Sequence, residues 1–360
     1  MHSGRTPVGA IPAPPHHAEP DLSRFDRRRG FVGPLARALA ADPELRDKAR
    51  EMNLCAHRLA LAAEMTPDGW GRVLLEGHRP CNLRLCPWCE WRRAGAWRRR
   101  VAAGLAAYSM DRPKDRPVLL TLTQRNVPIP ELGAELARIH GAWARLTKRE
   151  EFPTPAWVRR TEVTIGAAPK DPDMPAPFRT SSYGHADRGQ KENDPRREGP
   201  AAAIPDPHLP RYAHPHIHVL LMAPPRYFKA DYINKHRWAQ LWAECLRIDY
   251  LPVIDVRAAY SAAAADDPAA VQAAAVREVA KYITKSAEIA ALGDLAPEMH
   301  RQLANVRMIA TSRRLSQYIK QGEITAAEMN DNLREEAPFS PLAHFAAQWS
   351  ESAGKYQTIP

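Results

Sequence analysis

The sequence predicts an α+β fold: an antiparallel sheet flanked by helices, with an N-terminal helical, zinc-binding region in front of it. Three observations predict it. Short β-branched runs alternate with helical periodicities in the order β-α-β-β-α-β-α, which suits one mixed domain better than a bundle or a barrel. Cys81, Cys86 and Cys89 crowd into one short segment, with Cys55 upstream, ahead of the first strand. The run HPHIHVLLM, residues 214–222, alternates histidine with apolar residues as a strand does.

The elements follow in order. Residues 1–30 carry proline, histidine and the run Arg27-Arg28-Arg29, and read as a disordered basic arm. Alanine and leucine periodicity predicts helix over 33–63. After the cysteines, 90–108 reads as a basic helix with Trp91 and Trp97. PVLLTLTQ, 117–124, is a strand begun by proline. Residues 131–149 have helical periodicity, and WVRRTEVTIG, 157–166, alternates as a second strand. Residues 167–213 hold nine prolines, many charges and few apolar groups, which predicts a disordered insertion. Then come the histidine strand, an amphipathic helix over 227–247, a strand over 252–258, a long helix over 269–292, a helix near 296–320 and a polar tail. The expected domains are therefore 1–30 (arm), 31–110 (helical and zinc-binding), 111–292 (sheet domain with the 167–213 insertion) and 293–360 (helix and tail).

Composition narrows the function. The 360 residues allow about two domains, and an apolar content of 44% supports a real core. The net charge of +10 and a pI near 9.5 favour an anionic partner, nucleic acid before others. No apolar run is long enough to span a bilayer, and the first twenty residues lack the apolar core of a secretory signal. Four of the five cysteines lie close in sequence, which fits a metal site in a reducing cytoplasm better than disulfides.

His216 and His218 share one face of their strand, while Ile217, Val219 and Leu221 can bury the other. Two imidazoles so placed can ligate one divalent cation. His214 has the same parity but precedes Pro215 at the strand's start, so framing the site or touching DNA suits it better. Glu162, the carboxylate of the preceding strand, is the candidate third ligand. The bland alternatives are a polar edge strand whose histidines face water and a surface ion pair for Glu162.

In REVAKYITK, Glu278 and Tyr282 are spaced i,i+4 and Lys285 follows Tyr282 at i+3, near one helical face. Downstream of a metal pair this grouping suggests phosphoryl chemistry with a tyrosine nucleophile. A cation or Lys285 would favour the phenolate, whose reference pKa of about 10 is too high for neutral pH. Alone, the motif is a solvated helix face with a tyrosine at the core edge.

Cys81, Cys86 and Cys89 offer three thiolates, with Cys55 as the fourth tetrahedral ligand and His57 as its rival. A closed site of this kind would be structural and would pin the basic helix. There Arg92, Arg93, Arg98, Arg99 and Arg100 could hold phosphates, and Trp91 or Trp97 could stack or pack. Cys245, in an amphipathic helix, reads as a small buried apolar group.

These residues together resemble plasmid rolling-circle replication initiators of the HUH endonuclease superfamily, in the branch typified by small staphylococcal plasmids. LLTLTQRNV, 119–127, is similar to that family's first motif. HPHIHVLL is similar to its second, with HUH at His216-Ile217-His218, and EVAKYITK to its third. CNLRLCPWCEWRR is similar to the cysteine segment upstream of the first motif. Coverage runs from about residue 50 to 290, and the 167–213 insertion is longer than the family's usual link.

The resemblance implies a fold and a chemistry. The HUH motif would lie on a central strand. The protein would be a metal-dependent, site-specific single-strand DNA endonuclease and strand transferase of the bacterial cytoplasm. Tyr282 would take the 5′-phosphate at the plasmid origin and leave a 3′-OH primer. His216 and His218, with Glu162, would hold Mg²⁺ or Mn²⁺, and Glu278 would activate water to end the cycle. Partners would be double- and single-stranded origin DNA, a host helicase and a polymerase, with no membrane. A transposase or mobilisation relaxase of the same chemistry is the alternative. A non-catalytic zinc-stabilised DNA-binding regulator is the more distant one; it leaves the histidine pair and Tyr282 unexplained. A small-molecule metallohydrolase leaves the charge unexplained.

Overall fold

The computed structural model describes residues 19–66, 69–167, 211–258, 292–320, 322, 324–330 and 343–359. The predicted 269–292 helix lies outside them except for its last residue, as do residues 1–18 of the arm and nearly all of the 167–213 insertion. In chain order the elements begin with α1 (Ser23–Gly30), α2 (Val32–Ala40), α3 (Arg46–Asn53), β1 (Arg58–Thr66), β2 (Gly69–His78) and α4 (Pro87–Asp111). They continue with β3 (Arg116–Leu122), β4 (Val127–Pro128), α5 (Leu132–Leu146), β5 (Trp157–Ala167), β6 (Arg211–Ala223), α6 (Lys235–Leu246) and β7 (Ile254–Ala258). Last come α7 (Ala296–Gln302), β8 (Ile309–Thr311), α8 (Ala326–Asn330), β9 (Ala343–Ser350) and β10 (Lys355–Ile359). The chain is α+β with antiparallel sheets, and it divides into two compact units: residues 1–92 with 324–360, and residues 93–323.

The first unit is built on a four-stranded antiparallel sheet in the order β10-β9-β1-β2. Its aromatic core joins Phe25 and Trp91 to Trp88, and Trp88 and Trp349 to Tyr356, with ring centroids 5.3–6.2 Å apart. Such tilted and edge-on pairs suit the ring quadrupoles. Tyr356 donates from its hydroxyl to the Ala56 carbonyl. Three expectations change here. Arg29, read as part of a disordered arm, is fully buried in α1, donates to the Asn53 carbonyl at 2.8 Å and lies over Trp349. The helix predicted over 33–63 stops at Asn53. RLALAAEMT looks helical by its alanines, but cross-strand pairing to β2 and β9 makes it a strand. The tail contains β9 and β10, whose short alternating pattern gains a face only when β1 pairs with it.

The second unit holds a six-stranded antiparallel sheet in the order β7-β3-β6-β5-β8, with β4 also pairing β6. β6 is the middle strand of that path. One face is the core: Ile217, Val219 and Leu221 of β6 and Val118, Leu120 and Leu122 of β3 pack on α5 and α6. Trp143 and Trp242 fill the space between them, and the Trp242 indole donates to the Thr123 carbonyl at 2.9 Å. Each such large side chain contributes about 1.5–3 kcal/mol on burial. Cys245 is buried in this cluster, as its setting suggested.

Two helix boundaries move. The 227–247 helix is a 3-10 turn over Pro225–Phe228 followed by α6, because the Asn234 side chain caps the helix by accepting from the Arg237 amide at 2.8 Å. The helix near 296–320 ends at Gln302. The chain then extends to pair β8 with β5, where polar and apolar residues had read as helical.

Candidate metal centres

With Ile217 and Val219 facing the helices, strand alternation turns His214, His216 and His218 to the other face of β6. The register sets Glu162 of β5 opposite His216, and Arg160 of β5 and Thr121 of β3 on either side of His218. Directly opposed residues share a face. Ligand atoms of Glu162, His216 and His218 all lie within 4.8 Å of one another. Glu162 Oε2 is 3.0 Å from His218 Nε2 and 3.7 Å from His216 Nε2.

The second nitrogens of both rings are held. His216 Nδ1 lies 3.1 Å from the His214 carbonyl, which can only accept, so that nitrogen carries the proton. His216 Nε2 is then an unprotonated lone pair, buried and without a hydrogen-bond partner. A buried, orphaned imidazole lone pair aimed at a carboxylate fits a cation. His218 Nδ1 is bound to Thr121 Oγ1 at 3.1 Å. One carboxylate and two imidazoles can hold a divalent cation, and three protein ligands leave coordination positions open.

Protonation states agree. Burial alone would raise the Glu162 carboxyl, but the imidazoles of His216 and His218 beside it hold it well below the usual range. Burial lowers His218, outweighing the carboxylate beside it. An ionised carboxylate and a neutral imidazole are the forms that bind metal. His214 sinks to about 4, first by burial and then through the neighbouring His216 ring. Its ring is 5.2 Å from that of His216, but it lies outside the group of ligand atoms.

The first unit holds a second group. Cys55 sits in the turn after α3, Cys81 and Cys86 in the loop after β2, and Cys89 in the first turn of α4. The sulfurs are 3.5 Å (Cys55–Cys89), 3.6 Å (Cys55–Cys86) and 3.7 Å (Cys81–Cys89) apart. Zinc with Zn–S bonds of about 2.3 Å sets tetrahedral sulfurs about 3.8 Å apart, so the cage has the right size. His57, the rival ligand, is not in the group. Hydrogen bonding with Cys81 pushes the Cys55 thiol up, and burial does so for Cys86. A dication would reverse both shifts by binding the thiolates.

Other candidates fare differently. Tyr282, Glu278 and Lys285 lie outside the described residues. Arg92 and Arg93 are buried, and Arg92 donates to the Met329 carbonyl at 2.5 Å. Arg100 donates to the Gly322 carbonyl at 2.9 Å and lies over Trp97, while Arg98 and Arg99 are half-buried. Trp91 packs edge-on against Trp88. Thr121 and Arg160 had no assigned role in the sequence. Period-two parity within LLTLT and RRTEV was the signal, but pairing partners were needed to use it.

Among the described residues no helix is long and apolar enough to cross a membrane. The profile of a family described as replication protein, Rep_1, matches residues 72–357. A protein named Protein rep from Lentilactobacillus hilgardii is 28% identical over 249 residues, covering 67% of this chain and 63% of its own length. A Protein rep from Lactiplantibacillus plantarum is 28% identical over 251 residues, covering 67% and 65%. One from Streptococcus pneumoniae serotype 2 (strain D39) is 27% identical over 182 residues, covering 49% and 44%. The chain thus spans less than two thirds of the length of these relatives. No solved structure matches it.

Proposed function

The chain belongs to the Rep_1 replication protein family, and from that premise we propose that it initiates rolling-circle replication of a plasmid in the bacterial cytoplasm by nicking one strand of the origin. The observation that carries the chemistry is the buried Glu162–His216–His218 group on adjacent strands. These three residues would hold Mg²⁺ or Mn²⁺, which when bound withdraws electron density from a phosphate oxygen.

The phenolic oxygen of Tyr282 attacks phosphorus. The Tyr282–phosphate bond forms as the bond to the upstream 3′ oxygen breaks, and that oxygen takes a proton to become the 3′-OH primer. Lys285 favours the phenolate. Glu278 then accepts a proton from water, which hydrolyses the link and ends the cycle. In this reading residues 111–292 form the endonuclease domain, and the four cysteines hold a structural zinc within a region centred on 31–110. Arg98 and Arg99 of α4 meet the phosphates of double- and single-stranded origin DNA, and a host helicase and polymerase extend the primer.

The test incubates the protein with supercoiled origin plasmid and Mn²⁺ and looks for nicked DNA joined to protein. Wild type should form the adduct and Tyr282→Phe should not. Glu278→Ala should nick but release slowly. An adduct that survives Tyr282→Phe removes the nucleophile, and no adduct with any divalent metal removes the enzyme reading.

A further inference from the structure

β3 and β4 pair with the same strand, and the stretch between them does not keep step with it. Leu122 is the last β3 residue on β6, opposite Ile217, and Val127 of β4 lies opposite Ala213. Residues 123–126 therefore run past 214–216, four residues against three. One residue too many makes the chain bulge and re-aims a side chain. Pro215, which has no N–H to donate, lies in the gap. The bulge stands one strand spacing, about 4.8 Å, from His214 and the candidate ligand His216.

The bulge presents Arg125. Its amide donates to the Tyr250 hydroxyl at 3.1 Å, and its guanidinium lies over the Tyr250 ring, 4.0 Å from the centroid. Thr123 ties the same two segments together, donating from Oγ1 to the Val253 carbonyl at 2.7 Å. Tyr250 is thus held at its hydroxyl and at one face. Arg125 is exposed and Tyr250 half-buried, so the stack is open to solvent. Leu251 and Val253, 55% and 41% exposed, add apolar surface in the same segment.

An exposed pair of this kind adds little to stability, but a guanidinium plane and an aromatic ring are the two surfaces on which unpaired bases stack. The site is also within reach of the metal group. β7 pairs with β3 on the edge away from β6, and the segment before β7 carries Tyr250. Tyr250 is therefore about two strand spacings, roughly 10 Å, from His216. A stacked strand advances about 3.4 Å per nucleotide, so a phosphate at the metal group puts a base about three nucleotides away beside the stack.

We infer that Arg125 and Tyr250 form a stacking platform for one base of a DNA single strand and so set the register of that strand on the Glu162–His216–His218 group. This rests on the reading that the chain acts on single-stranded origin DNA.

The test measures binding by anisotropy with chelator present, so no arm depends on nicking. One labelled probe is an oligothymidylate and the other an abasic strand of the same length. Arg125→Lys keeps the charge and loses the plane. It should weaken oligothymidylate binding by about fivefold or more, the low end for one stacked base, and leave the abasic strand bound as before. Tyr250→Ala should cost the oligothymidylate up to about 150-fold. If that variant does not fold, the exposed Arg125 still decides. Unchanged oligothymidylate binding in Arg125→Lys overturns the proposal. So does an equal loss on both probes, which would make Arg125 a phosphate contact. A wild type that binds neither probe overturns the DNA reading itself, and the platform with it.

Discussion

The four-cysteine cage and the Glu162–His216–His218 group gather metal-ligating side chains for opposite ends. The cage gathers four thiols around one point, three of them buried, and fills a tetrahedron with protein. The histidine group brings only three ligands, on the face of a sheet whose other side is a packed core. A closed set can hold a loop to a helix but has no position left for a substrate. An open set can take a phosphate oxygen but does little to hold the sheet, which β3, β5 and β6 already secure by pairing. Ligand count separates the two roles more sharply than ligand type does.

The contrast can be broken at either site. Cys86→Ser should have the largest effect. Structural zinc sites in small domains supply about 10–16 kcal/mol of binding that is also folding energy, so the variant should lose its zinc and the cooperative melting of the first unit. Metal analysis and circular dichroism check this; full zinc and an unchanged melt would make the cage dispensable. Glu162→Ala should reverse the pattern. Nicking in Mn²⁺ should fall at least a hundredfold or so, beyond what an outer-shell partner costs, while zinc content and melting temperature hold. A large drop in melting temperature would make the carboxylate structural after all.

Thr121→Val sharpens the contrast with a smaller effect. It removes the partner of His218 Nδ1 and should weaken Mn²⁺ binding by about 10–100-fold. Titration calorimetry reads it without any activity assay. The smallest effect concerns pH. His140 and His214 sit at about 3 and 4 when folded against 6.5 in the open chain. Depressed histidines leave stability complete above about pH 6.5 and lose it as pH falls towards their folded values. His140→Gln should flatten the fall between pH 6.5 and 4 by at most about 1.4 kcal/mol per unit, with His214 keeping a remainder. Urea unfolding at several pH values measures it; an undiminished slope would place the sensitivity elsewhere.

The histidine site was legible in the sequence because its ligands follow local rules. His216 and His218 are two apart, and Glu162 is the carboxylate of an alternating run. The cysteines were legible from their crowding. Thr121 and Arg160 were not, because a face is known only when the neighbouring strand supplies the register. The central strands were read within a few residues since β-branched and aromatic groups mark them. β1 was missed because alanine and leucine favour helix locally, and β9 and β10 because such short runs gain a face only from a partner strand. In each case pairing across the chain overrode local preference. The Asn234 cap was visible in principle, but a continuous aromatic pattern from Tyr227 onward masked it.

The pairing of β1 with β9, Leu59 opposite Ala347, sets an order of events during synthesis. At about 5–20 residues per second, β1 leaves the ribosome on the order of tens of seconds before its partner does. Throughout that interval its apolar edge is open to other strands. All of residues 93–323 emerge in the meantime and can complete their own sheet first. A product cut short between residue 323 and β9 would carry the histidine site and the cysteines, yet keep that edge unpaired. The pairing thus ties survival of the protein in the cell to completion of its last strands.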